Sequence, residues 1–273
     1  MKRRLIQLCA ALLYNLNLKG FGHGTIYTGR SKGMCVPGLN CYSCPGAVGS
    51  CPLGTLQNAL SAMDRKLPFY ILGVLLLFGV TLGRMVCGFL CPFGLIQDFL
   101  YKIPVPKIRK NRITRLLSGL KYVILAVFVI LLPILFMRRS GLPVPAFCKY
   151  ICPAGTLEGG IPLLALDPSL RSLAGALFQW KVFVLAVILI SACFLYRSFC
   201  RFLCPLGAIY SLFAPVALLG VTIDRETCTD CGRCVRSCKM DVRQVGDREC
   251  IQCGECMKEC NVNSIHWKKL WKL

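Results

Sequence analysis

The sequence predicts an all-α membrane bundle of about four transmembrane helices with re-entrant or interfacial half-helices, followed by a small α+β domain at the C-terminal end. Three observations predict this fold class. Hydrophobic residues make up 55% of the 273 residues, and the mean hydropathy is +0.60, which is typical of membrane proteins. Four uncharged apolar stretches interrupt the chain, and eight of its 20 cysteines follow the last stretch in two short runs.

The apolar stretches are the candidate membrane spans. They cover roughly residues 5–18, 67–83, 122–137 and 182–196. Each is slightly shorter than the about twenty residues that a bilayer span needs, and flanking lysines such as Lys121 and Lys181 can extend a span by snorkelling. The segment 84–121 carries eight basic residues and one acidic residue. Because cytoplasmic loops are rich in Lys and Arg, we expect a multi-pass protein of the cytoplasmic membrane with both termini in the cytoplasm.

A Cys-Pro-x-Gly-x-(Leu/Ile) element recurs after each apolar stretch. The four copies begin at Cys51, Cys91, Cys152 and Cys204. Proline is preorganised for the first position of a helix, so each cysteine is predicted to precede a short helix. A helix N-terminus favours a thiolate and the negative charge of a metal cluster. Three copies carry a second cysteine four residues earlier, at Cys87, Cys148 and Cys200. The element therefore predicts metal-binding half-sites.

The predicted topology sorts these cysteines into two groups. The second and fourth copies face the cytoplasm and supply the four thiolates of one 4Fe-4S cluster. These inner ligands are Cys87, Cys91, Cys200 and Cys204. The outward-facing cysteines are Cys35, Cys41, Cys44, Cys51, Cys148 and Cys152. One cluster needs four of these six, and we favour the last three with either Cys41 or Cys44. The remaining two would form a disulfide or bind a second metal.

The C-terminal cysteines form two consecutive C-x2-C-x2-C-x3-C runs, which is ferredoxin spacing. In that pattern three thiolates of one run hold a 4Fe-4S cluster and the fourth holds the other cluster. One predicted ligand set is Cys228, Cys231, Cys234 and Cys260. The other predicted set is Cys250, Cys253, Cys256 and Cys238. A zinc site needs only four thiolates, commonly in two separated pairs, so the doubled runs favour iron–sulfur clusters.

These patterns divide the chain into three parts. Residues 1–220 form the transmembrane domain with its four repeats, residues 221–265 form the two-cluster ferredoxin domain, and residues 266–273 form an interfacial tail. The formal net charge of +21 falls when negatively charged clusters bind, and the remaining charge suits a lipid bilayer with anionic headgroups.

Several partners and cofactors are excluded by the same composition. The basic residues are scattered among apolar segments, which argues against nucleic-acid binding. The two histidines, His23 and His266, lie outside the apolar stretches, so a haem with two histidine ligands in the bundle is not expected. No glycine-rich phosphate-binding motif is present, and therefore no nucleotide cofactor is expected.

The cysteine motifs resemble those of a known family. Cys87-Gly-Phe-Leu-Cys91-Pro92, Cys200-Arg-Phe-Leu-Cys204-Pro205 and the two C-terminal runs are similar to the NapH/NosR/CcoG-type membrane polyferredoxins over roughly residues 70–262. The resemblance implies a membrane electron-transfer protein that acts between a quinol pool or a cytoplasmic donor and a partner redox subunit. The Cys148/Cys152 pair and the 35–51 loop go beyond the usual pattern.

We therefore expect an electron-transfer subunit of an oxidoreductase system. It would relay electrons between a cytoplasmic donor or acceptor and a redox partner, such as a flavoprotein or a quinone, at or across the membrane. One alternative is an outer-face reductase of copper or another metal, since thiolates suit copper(I), and another is an assembly factor. No catalytic residue is predicted. Asp98, Glu158 and Tyr210 follow repeat cysteines, and we expect them to be solvated interfacial residues rather than the walls of a quinone pocket.

Overall fold

The computed structural model describes residues 2–61, 68–108, 110–172 and 174–268. Most of them are helical. The α-helices are α1 (Lys2–Tyr14), α2 (Lys19–His23), α3 (Pro52–Ser61), α4 (Phe69–Thr81), α5 (Met85–Phe89), α6 (Pro92–Leu100), α7 (Arg112–Leu117), α8 (Leu120–Ile124), α9 (Leu132–Ser140), α10 (Ala146–Tyr150), α11 (Ile161–Leu166), α12 (Pro168–Arg171), α13 (Ala176–Phe194), α14 (Ser198–Phe202), α15 (Pro205–Phe213) and α16 (Arg233–Ser237). Wide π-helical turns cover Leu125–Leu131 and Gly155–Gly160, and 3-10 turns cover Arg30–Gly33 and Glu255–Glu259.

Two of the helical segments are long and apolar enough to cross a membrane. They are Arg112–Ser140, with 29 residues, and Ala176–Phe194, with 19 residues. Large apolar side chains such as Phe183 and Ile190 are exposed on α13, as expected for a surface that faces lipid. These features indicate a membrane protein. The other two apolar stretches form α1 and α4, each of 13 residues.

The longer of these segments has a local reason for its irregular winding. Its wide turn over Leu125–Leu131 ends two residues before Pro133. Proline cannot donate a backbone hydrogen bond, and its ring crowds the preceding turn. A π-type turn relieves that crowding without ending the helix, so Arg112–Ser140 stays continuous.

The predicted helices after the Cys-Pro pairs are confirmed. Helices α3, α6 and α15 begin at Pro52, Pro92 and Pro205, and Pro153 likewise starts the helical segment that continues into α11. In three repeats a five-residue helix precedes the pair and carries the earlier cysteine. These short helices are α5, α10 and α14. The repeat is thus a short helix, a Cys-Pro corner and a second helix.

The C-terminal cysteine runs fold around one two-stranded antiparallel sheet. Strand β1 (Val221–Ile223) pairs with β2 (Ile265–Trp267), with Thr222 opposite His266. The two runs share their backbone conformation, because Gly232 and Gly254 have φ of 66° and 71° at equivalent positions. Glycine adopts such left-handed conformations without strain. Of the predicted tail, residues 266 and 267 belong to β2, and residues 269–273 lie outside the described residues.

Candidate metal centres

The two C-terminal cysteine sets line two adjoining cavities. A cavity of about 490 Å³ is lined by Cys228, Cys231, Cys234 and Cys260. A smaller cavity of about 160 Å³ is lined by Cys238, Cys250, Cys253 and Cys256. Cys234 lines both cavities, so they share a wall. The fourth cysteine of each run lies with the other run's set, which is the grouping that ferredoxin spacing predicts.

A third set lies inside the helical bundle and is called here the first membrane site. It consists of Cys87, Cys91, Cys200 and Cys204, all of them buried. Burial and the neighbouring Cys200 and Cys87 together raise the pKa of the Cys91 thiol to about 12. Burial likewise raises the pKa of Cys204 well above its ordinary value. Four thiolates this close in an apolar interior need a compensating positive charge, and iron ions supply it.

A fourth set lines a cavity of about 560 Å³ and is called here the second membrane site. Its cysteines are Cys41, Cys51, Cys148 and Cys152. Burial raises the pKa of both Cys41 and Cys148 to about 12. The structure thus brings Cys41, and not Cys44, together with the three cysteines that the repeats predict.

Two cysteines of the predicted outward group stand apart from this set. The Cys44 thiol donates to Asn15 Oδ1 at 3.4 Å, and the Cys35 thiol donates to Thr55 Oγ1 at 3.4 Å. All 20 cysteines are unpaired in the structure.

The two membrane sites are neighbours. A Cβ added to Gly38 would lie 3.2 Å from the Cys91 Cα, and the residues that follow it, Leu39 and Asn40, line the cavity of the second membrane site. The sequence placed these sets on opposite faces of the membrane, whereas consecutive residues of one loop contact both. The loop Pro37–Cys41 is called here the bridging loop.

Two buried arginines cross between the halves of the first membrane site. Arg84 Nη2 donates to the Cys200 carbonyl oxygen at 3.2 Å, and Arg197 Nη1 donates to the Cys87 carbonyl oxygen. Each arginine stands three residues before the first cysteine of its own motif, so the contacts are reciprocal. Sequence reasoning missed them, although this shared spacing was a visible signal. Arg84 was counted among the basic loop charges, but its side chain is fully buried.

Carboxylates pair with both arginines. Arg197 forms a bidentate ion pair with Asp98: its Nε donates to Oδ1 at 2.7 Å and its Nη2 donates to Oδ2 at 2.8 Å. Burial alone would raise the pKa of Asp98, but the hydrogen bonds and charge of Arg197 outweigh burial and hold it below its usual value. Arg84 pairs with Glu249 at 2.8 Å, and Lys121 contacts the same carboxylate. Buried charges are tolerated when they are paired in this way.

The polar residues after the repeat cysteines are internal rather than solvated. Asp98 is buried against Arg197, and Tyr210 is buried and donates to the Pro37 carbonyl oxygen at 2.9 Å. Glu158 is half-buried and accepts the Cys41 N–H at 2.8 Å. The expectation of solvated interfacial residues is therefore wrong for Asp98 and Tyr210.

The ferredoxin domain contacts the first membrane site directly. A Cβ on Gly88 would overlap the carbonyl oxygen of Ile251. Gly88 follows Cys87 in the chain, and Ile251 follows Cys250. Arg84 adds a bond to the Arg248 carbonyl oxygen at 2.9 Å. The residues that follow Cys87 and Cys250 in the chain are therefore in contact.

Among the described residues, the thiols of these sets do not gather around a single ion position. Across the part of the chain that the structure describes, no three Cys, His, Asp or Glu side chains converge on one ion position. In a 4Fe-4S cluster each thiolate binds a different iron corner, so its ligands stand further apart than the ligands of one ion. The donor set is all sulfur, which suits iron–sulfur chemistry.

Four sets of four thiols in one small helical chain define a multi-cluster iron–sulfur protein. A 4Fe-4S binding domain model matches residues 50–70, 67–111, 120–161 and 177–221, which together exceed half of the chain. A second 4Fe-4S binding domain model matches residues 221–244. The chain belongs to this family of 4Fe-4S binding proteins. The cofactor predicted from the cysteine spacing is thereby confirmed.

Curated relatives share part of their length with this chain. The methylamine utilization ferredoxin-type protein MauN of Methylorubrum extorquens is 30% identical over 60% of this chain and 50% of its own length. The regulatory protein NosR of Pseudomonas aeruginosa is 30% identical over 58% of this chain and 20% of its own length. An uncharacterised protein of Methanocaldococcus jannaschii is 26% identical over 62% of this chain and 64% of its own length. The chain therefore spans less than two thirds of each of these relatives.

These matches confirm the resemblance to NosR-type membrane polyferredoxins. No solved structure matches the chain.

The glycine of the repeat element provides a first test of the packing. A Cβ on Gly94 would lie 3.1 Å from the Cys87 carbonyl oxygen and 3.3 Å from Arg197 Nη1. Such overpacking costs about 1–3 kcal/mol, more than the up to about 1 kcal/mol that Ala gains over Gly in a helix. We expect Gly94→Ala to lower the thermal midpoint of the detergent-solubilised protein and its bound iron.

Gly54 is the matched control, because it holds the same place in the first repeat and nothing lies within 4 Å of its added Cβ. Gly54→Ala should keep its iron and be neutral or slightly stabilising. Equal losses in the two variants would contradict the crossed packing.

The buried ion pair provides a second test. Arg197→Gln removes the partner of Asp98 and the bond to the Cys87 carbonyl oxygen. Breaking a buried pair costs about 3–5 kcal/mol, and we expect about 3 kcal/mol because Arg3 still contacts Asp98 at 3.0 Å. Chemical denaturation monitored by cluster absorbance would measure it. Arg225, whose contact with Asp230 is exposed, is the control, and a comparable loss in Arg225→Gln would refute a specific role for Arg197.

Proposed function

We propose that this protein carries electrons through four 4Fe-4S clusters arranged in series. The two ferredoxin clusters come first and are held by the Cys228 set and the Cys238 set, followed by the first and the second membrane site. An iron–sulfur electron-transfer role follows from the family and the donor chemistry, and the series is the part that we add. Bound clusters supply one-electron redox chemistry. The protein holds, orients and shields them.

Physical contact between neighbouring sites is the observation that carries this proposal. The ferredoxin cavities share Cys234. Ile251, beside Cys250, packs on Gly88, beside Cys87. The bridging loop then packs against Cys91 of the first membrane site and lines the cavity of the second membrane site. Each site thus adjoins the next, and the route has no gap as wide as the roughly 30 Å hydrocarbon core.

The two ends of the series are the more accessible sites. Cys231 is exposed at the ferredoxin end, whereas every thiol of the first membrane site is buried. At the other end, the cavity of the second membrane site is rimmed by Tyr42, which is 53% exposed. Electrons would therefore be exchanged with partners at the Cys228 set and at the second membrane site. The names of the relatives, which include a ferredoxin-type protein and a regulatory protein, support redox protein partners.

We place the protein in the membrane with four spanning segments and both termini in the cytoplasm. The segments are α1, α4, Arg112–Ser140 and α13. Helices α1 and α4 are shorter than the about twenty residues of a full span. Near the two ends of α1, the exposed Arg4 and Lys19 would reach the interface. The basic segment between the second and third spans supports this orientation. The ferredoxin domain then meets a cytoplasmic donor or acceptor.

Iron counting tests the four sites. Anaerobically purified full-length protein should bind about sixteen iron atoms, counting four per cluster. Cys204→Ala and Cys41→Ala should each remove about four. Cys44→Ala is the matched control, because Cys44 is as buried as the ligands but bonds Asn15 instead. Loss of iron from Cys44→Ala but not from Cys41→Ala would refute the assigned ligand set.

Electron paramagnetic resonance tests the series. Reduced clusters that are neighbours couple magnetically and broaden each other's signals. The dithionite-reduced protein should show this broadening, and Cys204→Ala should remove it from the signal of the second membrane site. An unbroadened signal of the second membrane site in the complete protein would exclude the series. Reduction of copper(II) by the isolated protein without a partner would instead favour the metal-reductase alternative.

A further inference from the structure

Two buried glutamines occupy the same place in the first two repeats. Gln57 stands six residues after Cys51, and Gln97 stands six residues after Cys91. Both side chains are fully buried. An amide buried in an apolar bundle costs free energy unless its groups are all hydrogen-bonded. Its recurrence at both membrane sites therefore calls for a specific set of partners.

Gln97 makes three hydrogen bonds, and one of them reaches a cysteine sulfur. Its Oε1 accepts the backbone N–H of Phe199 at 3.1 Å. Its Nε2 donates to the Phe93 carbonyl oxygen at 3.4 Å and to Cys200 Sγ at 3.1 Å. Cys200 is the first cysteine of the opposite repeat, so Gln97 joins the two halves of the first membrane site.

Gln57 repeats this arrangement at the second membrane site. Its Oε1 accepts the backbone N–H of Phe147 at 2.9 Å. Its Nε2 donates to the Leu53 carbonyl oxygen at 3.2 Å and to Cys148 Sγ at 3.2 Å. Again the sulfur belongs to the first cysteine of the opposite repeat, and the phenylalanine directly precedes it.

The backbone settles which amide atom faces each sulfur. A backbone N–H can only donate, so it requires the amide oxygen, and the amide nitrogen is left to face the cysteine. A thiolate accepts such a hydrogen bond more strongly than a neutral thiol does, because the bond is charge-assisted. Both hydrogens of each amide nitrogen are used, which leaves no donor unsatisfied.

The same position in the other two repeats has a different role. Glu158 and Tyr210 occupy it, and they bond the Cys41 N–H and the Pro37 carbonyl oxygen. Glu158 and Tyr210 thus hydrogen-bond the backbone of the bridging loop, whereas the two glutamines hydrogen-bond cysteine sulfurs. Each membrane site thus receives one amide N–H from a side chain at a fixed place in the repeat.

We propose that Gln57 and Gln97 are positioning residues that each donate one N–H···S hydrogen bond to a ligand thiolate and thereby raise the reduction potential of the cluster at their own membrane site. The inference rests on the proposed function, since it requires clusters at both sites. Hydrogen bonds to the sulfurs are among the factors that set cluster potentials. They stabilise the reduced cluster more than the oxidised one, because reduction adds negative charge.

Redox titration followed by electron paramagnetic resonance tests this role, and each site is the internal control for the other. Gln97→Leu should shift the midpoint potential of the first membrane site to a more negative value and leave the second unchanged. Gln57→Leu should do the reverse. Gln97→Glu and Gln57→Glu keep an oxygen for the Phe199 and Phe147 N–H groups but place no N–H on sulfur, so they should shift the same sites in the same direction.

Iron content separates failure of this inference from failure of the proposed function. Full iron with unchanged potentials in the Leu and Glu variants would overturn the role of the glutamines and leave the series intact. Equal shifts at both sites in a single variant would also overturn it. If a Leu variant loses its cluster, the midpoint potential is measured in the Glu variant instead. Loss of the matching cluster from both variants would overturn the proposed effect on the potential, because the residue would then serve only to hold the site together. Absence of iron-dependent signals from both sites in the unsubstituted protein would instead refute the clusters themselves.

Discussion

Negative charge held in an apolar interior is the constraint on which the arrangement of this bundle depends. Thiolates and the clusters they bind are anionic, and the interior offers no water to solvate them. The protein meets this constraint with backbone N–H groups at helix starts, amide donors and paired guanidinium groups. Arg84 and Arg197 supply the guanidinium groups, and both are fully buried beside the first membrane site. Each also bonds the carbonyl oxygen of the opposite motif.

That crossed bonding accounts for other features of the repeat. The glycine after Cys-Pro is needed where a carbonyl oxygen and a guanidinium group approach the helix, as at Gly94 and Gly207, and it is not crowded at Gly54. The same Arg84 that bonds the Cys200 carbonyl oxygen also binds Glu249 and the Arg248 carbonyl oxygen. One side chain therefore connects the packing of the bundle with the docking of the ferredoxin domain.

Local signals in the sequence predicted much of the fold and of the sites. Cys-Pro pairs predicted helix starts because proline acts through its own geometry, and ferredoxin spacing predicted the grouping of Cys260 with Cys228 because one short loop carries three ligands. The glutamine and arginine contacts were not predictable in this way. Gln97 and Cys200 are 103 residues apart, and only packing brings them together. Charge counting failed at Arg84 for the same reason, since its partner Glu249 lies 165 residues away.

The two membrane sites share their glutamines but differ in their charged surroundings. Around the first site, Arg84 and Lys121 share Glu249, and Arg197 and Arg3 share Asp98. Arg3 also contacts the exposed Glu255, so the excess of two positive charges holds for the buried groups alone. The position three residues before Cys148 is Pro145, and the equivalent position in the first repeat, seven residues before Cys51, is Cys44, so no arginine pair is available at the second site. Lys32, Lys181 and Glu158 lie there instead, with an excess of one. Buried charges are poorly screened, and therefore the first membrane site should hold an added electron more tightly than the second. The glutamine hydrogen bonds are the same at both sites, whereas the arginine pair is present only at the first site and makes its surroundings more positive.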